Sequence, residues 1–424
     1  MAGRLSQIRL KDRPMQRDPS CPTDIREASP RLQAGGLSGL RVLDLGRYIA
    51  APLCAAMLGD QGAEVIRIES PEGAADREVM PVGIDSRGSL YLQMNRNKKS
   101  LTLEFSQPAG RRILDQLIAT SDVVVVNLPH RPLVKLGLDY ESLRRLNPEI
   151  ILTTVSAFAY SGNQRDRVGF DGMGQALSGA MYLSGTGERP MRAAVSYVDY
   201  ATGASAAFAT TAALFDRAIT GKGQHVECSL MGTALTMMNP ILVEEATGAR
   251  RRTATANRSP IAGPSDLFQA KDGWIMVQVI GKLMFERWTE LVGRPELTAD
   301  PRFRTDIDRG ENGEVLSTIM GQWCAERTLA QCLEATEAAR IPACPILTPA
   351  QALAAESASD YFELMPFDGA PVSLPIATAN IRTRAFSAFG VKAAPRLGAD
   401  TDMILQALDI GPDDIEALRR QGVV

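Results

Sequence analysis

The sequence predicts an α/β fold: a large Rossmann-like domain with a parallel sheet, plus a smaller α+β domain. Three observations carry this. Between Leu40 and Glu69 a strand pattern, a short apolar helix and a second strand pattern follow at βαβ spacing, which makes the sheet parallel. Val123–Val126 is an unbroken apolar run, as expected of a strand buried on both faces. From about residue 255 the pattern changes to a hairpin followed by several short helices.

Residues 40–45 have strand character, and Pro52 suits the first turn of a helix over 51–58, where its missing N–H costs nothing. Gly59 and Gly62 break that helix, and 63–69 is the second strand. The turn between them lacks G-x-G-x-x-G, and Glu69 alone is a weak ribose signal, so a nicotinamide dehydrogenase is set aside. Residues 71–77 form a loop, and Asn95 to Ser100 lead into a strand over 101–105. A helix over 107–118 precedes Val123–Val126, which ends at Asn127-Leu-Pro-His-Arg. Ligands on such sheets bind where strands end. Tyr140–Leu146 is helical and 150–155 is another strand. A polar loop then reaches Asp171, which its glycine neighbours Gly169 and Gly172 mark as a turn residue.

Residues 195–199 read as a short strand or extended segment. The small residues over 201–218 read as a central, buried helix with a thin surface, stopped by Gly221 and Gly223. Asp199 stands where that helix begins. One reading is an N-cap. The other is a nucleophilic carboxylate, because free N–H groups at a helix start stabilise an anion and any oxyanion beside it. After a strand at 226–230, residues 231–254 form a linker, helical early and basic at Arg250. The small domain spans 255–352, with a hairpin turn at Lys271-Asp-Gly273 and with Trp274, Trp288 and Trp323 in its core. Strands over 367–382 and helices over 403–408 and 412–421 complete the chain.

The 424 residues suffice for more than one domain, and a net charge of −3 gives no case for nucleic-acid binding. Two histidines, and six cysteines without a C-x-x-C pair, argue against a zinc site and a disulfide framework. The thiols fit a reducing cytosol, so a cytoplasmic location is expected. No apolar run approaches ~18 residues, so no membrane span is expected. Residues 1–35 are rich in Arg, Pro and polar residues without an apolar stretch, and read as a poorly ordered tail rather than a secretory signal.

The stretch Val198-Asp-Tyr-Ala-Thr-Gly203, followed by Ala212-Ala-Leu214 and Gly221-Lys-Gly-Gln224, resembles the family III (CaiB/BaiF) CoA-transferases. That group includes formyl-CoA and carnitine-related CoA-transferases and the α-methylacyl-CoA racemases. The resemblance runs from near Gly39 to Val424. It implies a parallel-sheet domain built from both chain ends, 36–230 and 353–424, and an interlocked homodimer. It makes Asp199 the nucleophile, acylated by an acyl-CoA donor and then carrying CoA to a carboxylic acid acceptor, with neither metal nor ATP. Asp171 becomes a second active-site carboxylate, and two acids so close would raise one pKa.

Carried over residue by residue, CoA contacts fall on Ile49, Ala50, Leu103, Asn127, Leu128 and Lys135. The basic cluster Arg96, Lys98 and Lys99 is either a solvated loop or a contact for CoA phosphates. Related transferases carry an Arg just after the second strand, where this chain has Ser70; Arg67 or Arg77 would compensate. The acceptor carboxylate needs a cation, assigned to Arg47 or Arg258. The alternative is an α-methylacyl-CoA racemase or isomerase acting by α-proton transfer. The racemases place a histidine where this chain has none between Arg131 and Asp171. The glycine-rich loop of formyl-CoA transferases is also missing, since residues 257–268 hold only Gly263. That speaks against formate/oxalate exchange and leaves dicarboxylates such as succinate, or larger acids.

Overall fold

The computed structural model describes residues 36–82, 87–367, 372–378 and 390–424. The expected tail lies outside them, as does the end of the strand segment expected over 367–382. Six parallel strands form the main sheet: β1 (Arg41–Asp44), β2 (Glu64–Glu69), β3 (Lys98–Thr102), β4 (Val123–Val126), β5 (Ile151–Ser156) and β6 (His225–Ser229). Their order is β3-β2-β1-β4-β5-β6. The direction of winding reverses between β1 and β4, and an open sheet leaves a crevice at the carboxyl ends of such a pair.

Among the described residues all six strands come from 41–229, which corrects the expectation of a sheet built from both chain ends. The C-terminal segment contributes helices instead. Ile404, Leu405 and Ile415 join Leu101, Leu114 and Val124 in the apolar layer on one face. Backbone and side-chain bonds fix this return: Thr102 N–H donates to Thr401 Oγ1 (3.1 Å) and Glu104 N–H to Val423 O (2.7 Å).

The other face carries the Ala50–Asp60 and Tyr197–Thr220 helices. Small residues let them lie close. Val198, Thr202, Ala206, Thr210 and Ala213 are buried, at helical spacing. The expected burial holds for that stripe only: Phe208, Phe215 and Ile219 on the same helix are 78%, 65% and 72% exposed.

Four local expectations change. The Tyr197–Thr220 helix begins inside the segment read as a strand, so Asp199 lies within its first turn rather than at its cap. Asp171 opens a helix, Asp171–Leu177, rather than sitting in a turn. Leu230–Thr247 is one helix through most of the expected linker, despite Pro240. Strand β3 starts at Lys98, three residues before the expected 101.

The smaller unit pairs β7 (Ser265–Ala270), β8 (Gly273–Gln278) and β9 (Ala343–Pro345) antiparallel, under the Lys282–Leu291, Gly313–Ala325 and Leu329–Ala338 helices. Trp288 is fully buried there and Trp323 packs at the edge. Trp274 is 47% exposed, against expectation, because strand alternation turns Ile275 and Val277 inward instead. A hairpin, β10 (Phe362–Met365) with β11 (Leu374–Ala377), comes next. No described helix is long and apolar enough to cross a membrane.

Candidate active site

Ser196 precedes the Tyr197–Thr220 helix but makes no side-chain cap bond. A helix start needs partners for its free N–H groups. They come from another helix: Asp171 Oδ1 accepts the N–H of Val198 at 2.8 Å and of Asp199 at 3.2 Å. Asp171 is 4% exposed, and Gln175, one turn further on, donates to its other oxygen. Gln175 Oε1 in turn accepts the Ala193 N–H at 3.0 Å, which tethers the segment leading into the helix. Asp171 therefore both shapes the backbone and places a carboxylate beside Asp199.

The Asp199 carboxyl is half-buried, and its pKa is pushed up to about 7. Burial is the larger cause; the Asp171 charge adds to it.

Asp199 faces a cleft of about 180 Å³ at the switch point of the sheet. Arg47, Tyr48, Ile49 and Ala50 enter from the loop after β1, Asn127 and Leu128 from the end of β4, and Ser156 from the end of β5. Asn127 clamps the loop by two bonds, accepting the Arg47 N–H (2.9 Å) and donating to the Arg47 carbonyl (2.8 Å). Gly203 sets the approach of the two helices. A Cβ there would lie 2.7 Å from the Ala50 carbonyl oxygen and 3.1 Å from Leu53 Cβ. The D-x-x-x-G spacing thus puts a carboxylate and a backbone-contact point one turn apart on one helix face.

The profile of CoA-transferase family III matches residues 37–401. The chain belongs to CoA-transferase family III. It is similar to the succinyl-CoA:glutarate CoA-transferase of Mus musculus, 31% identical over 92% of this chain and 90% of that protein. It is 30% identical to the succinyl-CoA–L-malate CoA-transferase beta subunit of Chloroflexus aurantiacus, over 92% of this chain and 98% of that one. A crystal structure of a CaiB/BaiF family protein from Brucella suis superposes with a TM-score of 0.73 at 30% identity, covering 89% of this chain and 100% of that one.

Of the CoA contacts expected for a family III chain, Ile49, Ala50, Asn127 and Leu128 line the Asp199 cleft. Leu103 is 1% exposed and belongs to the apolar layer beneath β3. Lys135 ends the His130–Lys135 helix and borders a separate surface hollow with Arg111 and Asp115.

Lys98 is corrected. Because β3 starts early, its side chain points into the sheet and is wholly buried. Its Nζ donates to Asp44 Oδ2 (2.7 Å), the Pro52 carbonyl (2.8 Å) and Asn95 Oδ1 (2.9 Å), leaving nothing for a phosphate. Arg96 is buried against Asp60 (2.6 Å), while Lys99, partly exposed, pairs with Glu64 (2.6 Å). Arg77 is corrected for a similar reason: its guanidinium is held by Glu69 (2.6 Å) and the Tyr91 hydroxyl (2.7 Å). It borders a different cleft, with Glu72, Glu78 and Arg396. Arg67 is fully buried between Glu69 and Asp76. Of the two cations named for the acceptor, Arg47 lines the Asp199 cleft and Arg258 lies in the smaller unit, donating to the Gly310 carbonyl (3.3 Å).

Four cleft residues carried no signal in the sequence: Tyr48, Arg165, Arg167 and Phe170. Tyr48 and Phe170 meet edge to face at 5.8 Å across it. The arginines sit in an irregular loop with no periodicity to place them. Gln175 was legible: four residues after Asp171, it shares that residue's helix face once the segment is read as helical.

Proposed function

We propose that this protein transfers CoA from an acyl-CoA thioester to a dicarboxylic acid, with Asp199 as the nucleophile and CoA lying along Ile49, Ala50, Asn127 and Leu128. The observation that carries the reading is the Asp199 carboxylate at the sheet's switch-point cleft, beside the start of the Ala50–Asp60 helix. The Asp199 carboxylate attacks the thioester carbonyl; the C–S bond breaks and CoA leaves as thiolate. The thiolate attacks the aspartyl carbonyl of the resulting mixed anhydride, releasing the donor acid as carboxylate and forming an aspartyl-CoA thioester. The acceptor carboxylate attacks that thioester, and the freed thiolate takes the acceptor's acyl carbon. Asp199 is regenerated, and an activated acyl group, as thioester or mixed anhydride, is kept at every step, so no ATP is consumed. Helix-start N–H groups stabilise each oxyanion.

The dicarboxylate reading is supported by the relatives' names, which give glutarate and malate as acceptors. Arg47 on the cleft wall is the cation for the distal carboxylate. A racemase needs a base for the α-proton; His130 and His225 are both absent from the residues lining the Asp199 cleft, which favours transfer. The exposed Phe208, Phe215 and Ile219 support a homodimer. We place the protein in the cytoplasm and divide it into a large CoA-binding domain (36–230 and 353–424) and a small domain (255–352) joined by 231–254.

The test is chemical. The protein is treated with a succinyl-CoA donor, quenched with hydroxylamine or borohydride, and digested. The peptide carrying Asp199 gains the corresponding modification. An unmodified peptide in an enzyme that still exchanges CoA between acids would overturn the assignment.

A further inference from the structure

The loop after β1 is held in an unusual way. Three successive peptide N–H groups each donate to a side-chain oxygen from a different element. Gly46 N–H goes to Asp44 Oδ1 (2.8 Å), Arg47 N–H to Asn127 Oδ1 (2.9 Å) and Tyr48 N–H to Asp76 Oδ2 (2.8 Å). The third peg carries the most support. Asp76 is 1% exposed, and Arg67, itself at 0%, donates to both its oxygens at 2.8 and 3.0 Å. Arg67 is fixed in turn by Asn95 Oδ1 (3.0 Å) and Glu69 (3.1 Å).

The peg falls where the backbone most needs one. Tyr48 has φ 65°, the left-handed region that residues with a side chain avoid. That turn of the chain sets the direction in which the Ala50–Asp60 helix starts. The first bond of this helix runs from Leu53 N–H to Ile49 O (2.8 Å), so the N–H groups of Ala50 and Ala51 stand outside its ladder, at the end where Ile49 and Ala50 line the Asp199 cleft. Asp76 itself does not line that cleft.

We infer that Asp76, locked by Arg67, is a positioning residue for the reaction centre: it holds Tyr48 in the left-handed turn that points the helix-start N–H groups at the Asp199 cleft. The inference rests on the reaction proposed above. Those N–H groups meet an oxyanion only during the chemical step, so displacing them lowers kcat and leaves KM largely alone.

The control is Asp60, another buried carboxylate (6% exposed) paired with a buried arginine, Arg96, at the far end of the same helix. D76A, D76N and D60A are compared with the wild type in succinyl-CoA/dicarboxylate exchange. D76A loses kcat by about 10- to 100-fold with the donor KM within about threefold, while D60A keeps kcat within about twofold although both lower the melting temperature. Equal losses in D76A and D60A, or an unchanged kcat in D76A, would overturn the inference. D76N serves if D76A does not fold: Arg67 and Tyr48 N–H both need oxygens, so the amide must turn its NH₂ toward one of them, and kcat again falls, by less than in D76A. A second readout needs no activity. Amide hydrogen exchange across residues 46–50 speeds up in D76A and not in D60A; unchanged protection in D76A sinks the inference. If the wild type shows no CoA exchange at all while this protection pattern holds, the proposed reaction fails and the positioning of the loop stands.

Discussion

Asp171 Oδ1 accepts the backbone N–H of Asp199 at 3.2 Å, so one buried carboxylate caps the helix that presents the other. Capping and charge pull in opposite directions. The bond holds Asp199 in place, and the charge on Asp171, together with burial, discourages Asp199 from ionising. A carboxylate poised near neutral pH is the result, one that ionises without being a strongly solvated anion.

The first prediction concerns that poise. In the proposed reaction only ionised Asp199 attacks, so kcat/KM rises with pH through an acid limb near 7. Asp171→Asn keeps an oxygen for the Val198 and Asp199 N–H groups and removes the charge. Its limb moves to lower pH, yet stays above the ordinary aspartate range, because burial is the larger cause. Profiles of kcat/KM between pH 5 and 9 decide this; an unmoved limb excludes the Asp171 charge as a cause.

The second concerns stability. Asp199 binds its proton up to about pH 7 in the fold, but only to about 4 when unfolded. Between those values the folded state holds more protons, so stability falls as pH rises across the window, and the full penalty applies above 7. Asp199→Asn removes it. The variant gains on the order of 2 kcal/mol at pH 8 and none at pH 3.5, while losing CoA exchange. Urea denaturation at the two pH values checks both halves.

Much of this was legible in the residues, and the remainder has identifiable causes. The βαβ unit and Val123–Val126 gave the parallel sheet, because strand burial on both faces leaves an unmistakable apolar run; the strand order, and with it the switch point, rests on long-range pairing that no local pattern carries. The stretch from Val198 to Gly203 pointed to Asp199 through its resemblance to the family III CoA-transferases, where the residues alone left an N-cap as the simpler reading. The helix start at Tyr197 was hidden because its cap is supplied by Asp171, 28 residues from Asp199, and no local pattern carries a cap from another helix. Lys98 was misread because a lysine ordinarily signals solvent; here Asp44 sits two strands away and turns it inward. The Arg67–Asp76–Tyr48 connection is likewise long-range and left no signature.

The third prediction tests the correction at Lys98. Its ion pair with Asp44 is buried on both sides, so Lys98→Met leaves a carboxylate without its cation in the interior. Breaking such a pair from one side costs about 3–5 kcal/mol. The salt dependence of CoA binding stays that of the wild type, since no phosphate contact is lost. Denaturation measures the first and titrations of CoA at several ionic strengths the second; a flatter salt dependence in the variant restores the phosphate reading.

The fourth rests on the close approach at Gly203. An alanine there would place its Cβ 2.7 Å from the Ala50 carbonyl, and neither helix backbone yields easily. Overpacking of this kind costs about 1–3 kcal/mol. Because the contact lies one turn from Asp199, Gly203→Ala also drives the Asp199 carboxylate away from the Ala50 end of the neighbouring helix, and kcat falls by roughly tenfold or more. Melting curves and exchange kinetics together check this. A stability loss with full kcat shows that the spacing matters for packing alone.

The last prediction concerns the acceptor. Arg47 stands on the cleft wall with its peptide clamped on both sides by Asn127, so its backbone is fixed and its side chain is exposed at the cleft. Arg165, in the same wall, shares Asp166 (3.8 Å) with the nearer Arg131 (3.2 Å), and Arg167 lies over the Phe158 ring and donates to Gln164. Arg47 is thus the cation best placed to meet a second carboxylate on an acid whose first carboxylate is at Asp199. Arg47→Met keeps the length and apolar stem and removes the charge. It raises KM for glutarate or malate by about 10- to 100-fold, the loss of one charge-assisted contact, and changes KM for a monocarboxylic acid of equal length by less than about twofold. Lysine at 47 recovers part of the loss, as a point charge without the fork that grips both oxygens. Steady-state kinetics with matched mono- and dicarboxylates give the answer, and equal effects on the two classes would remove Arg47 from acceptor recognition.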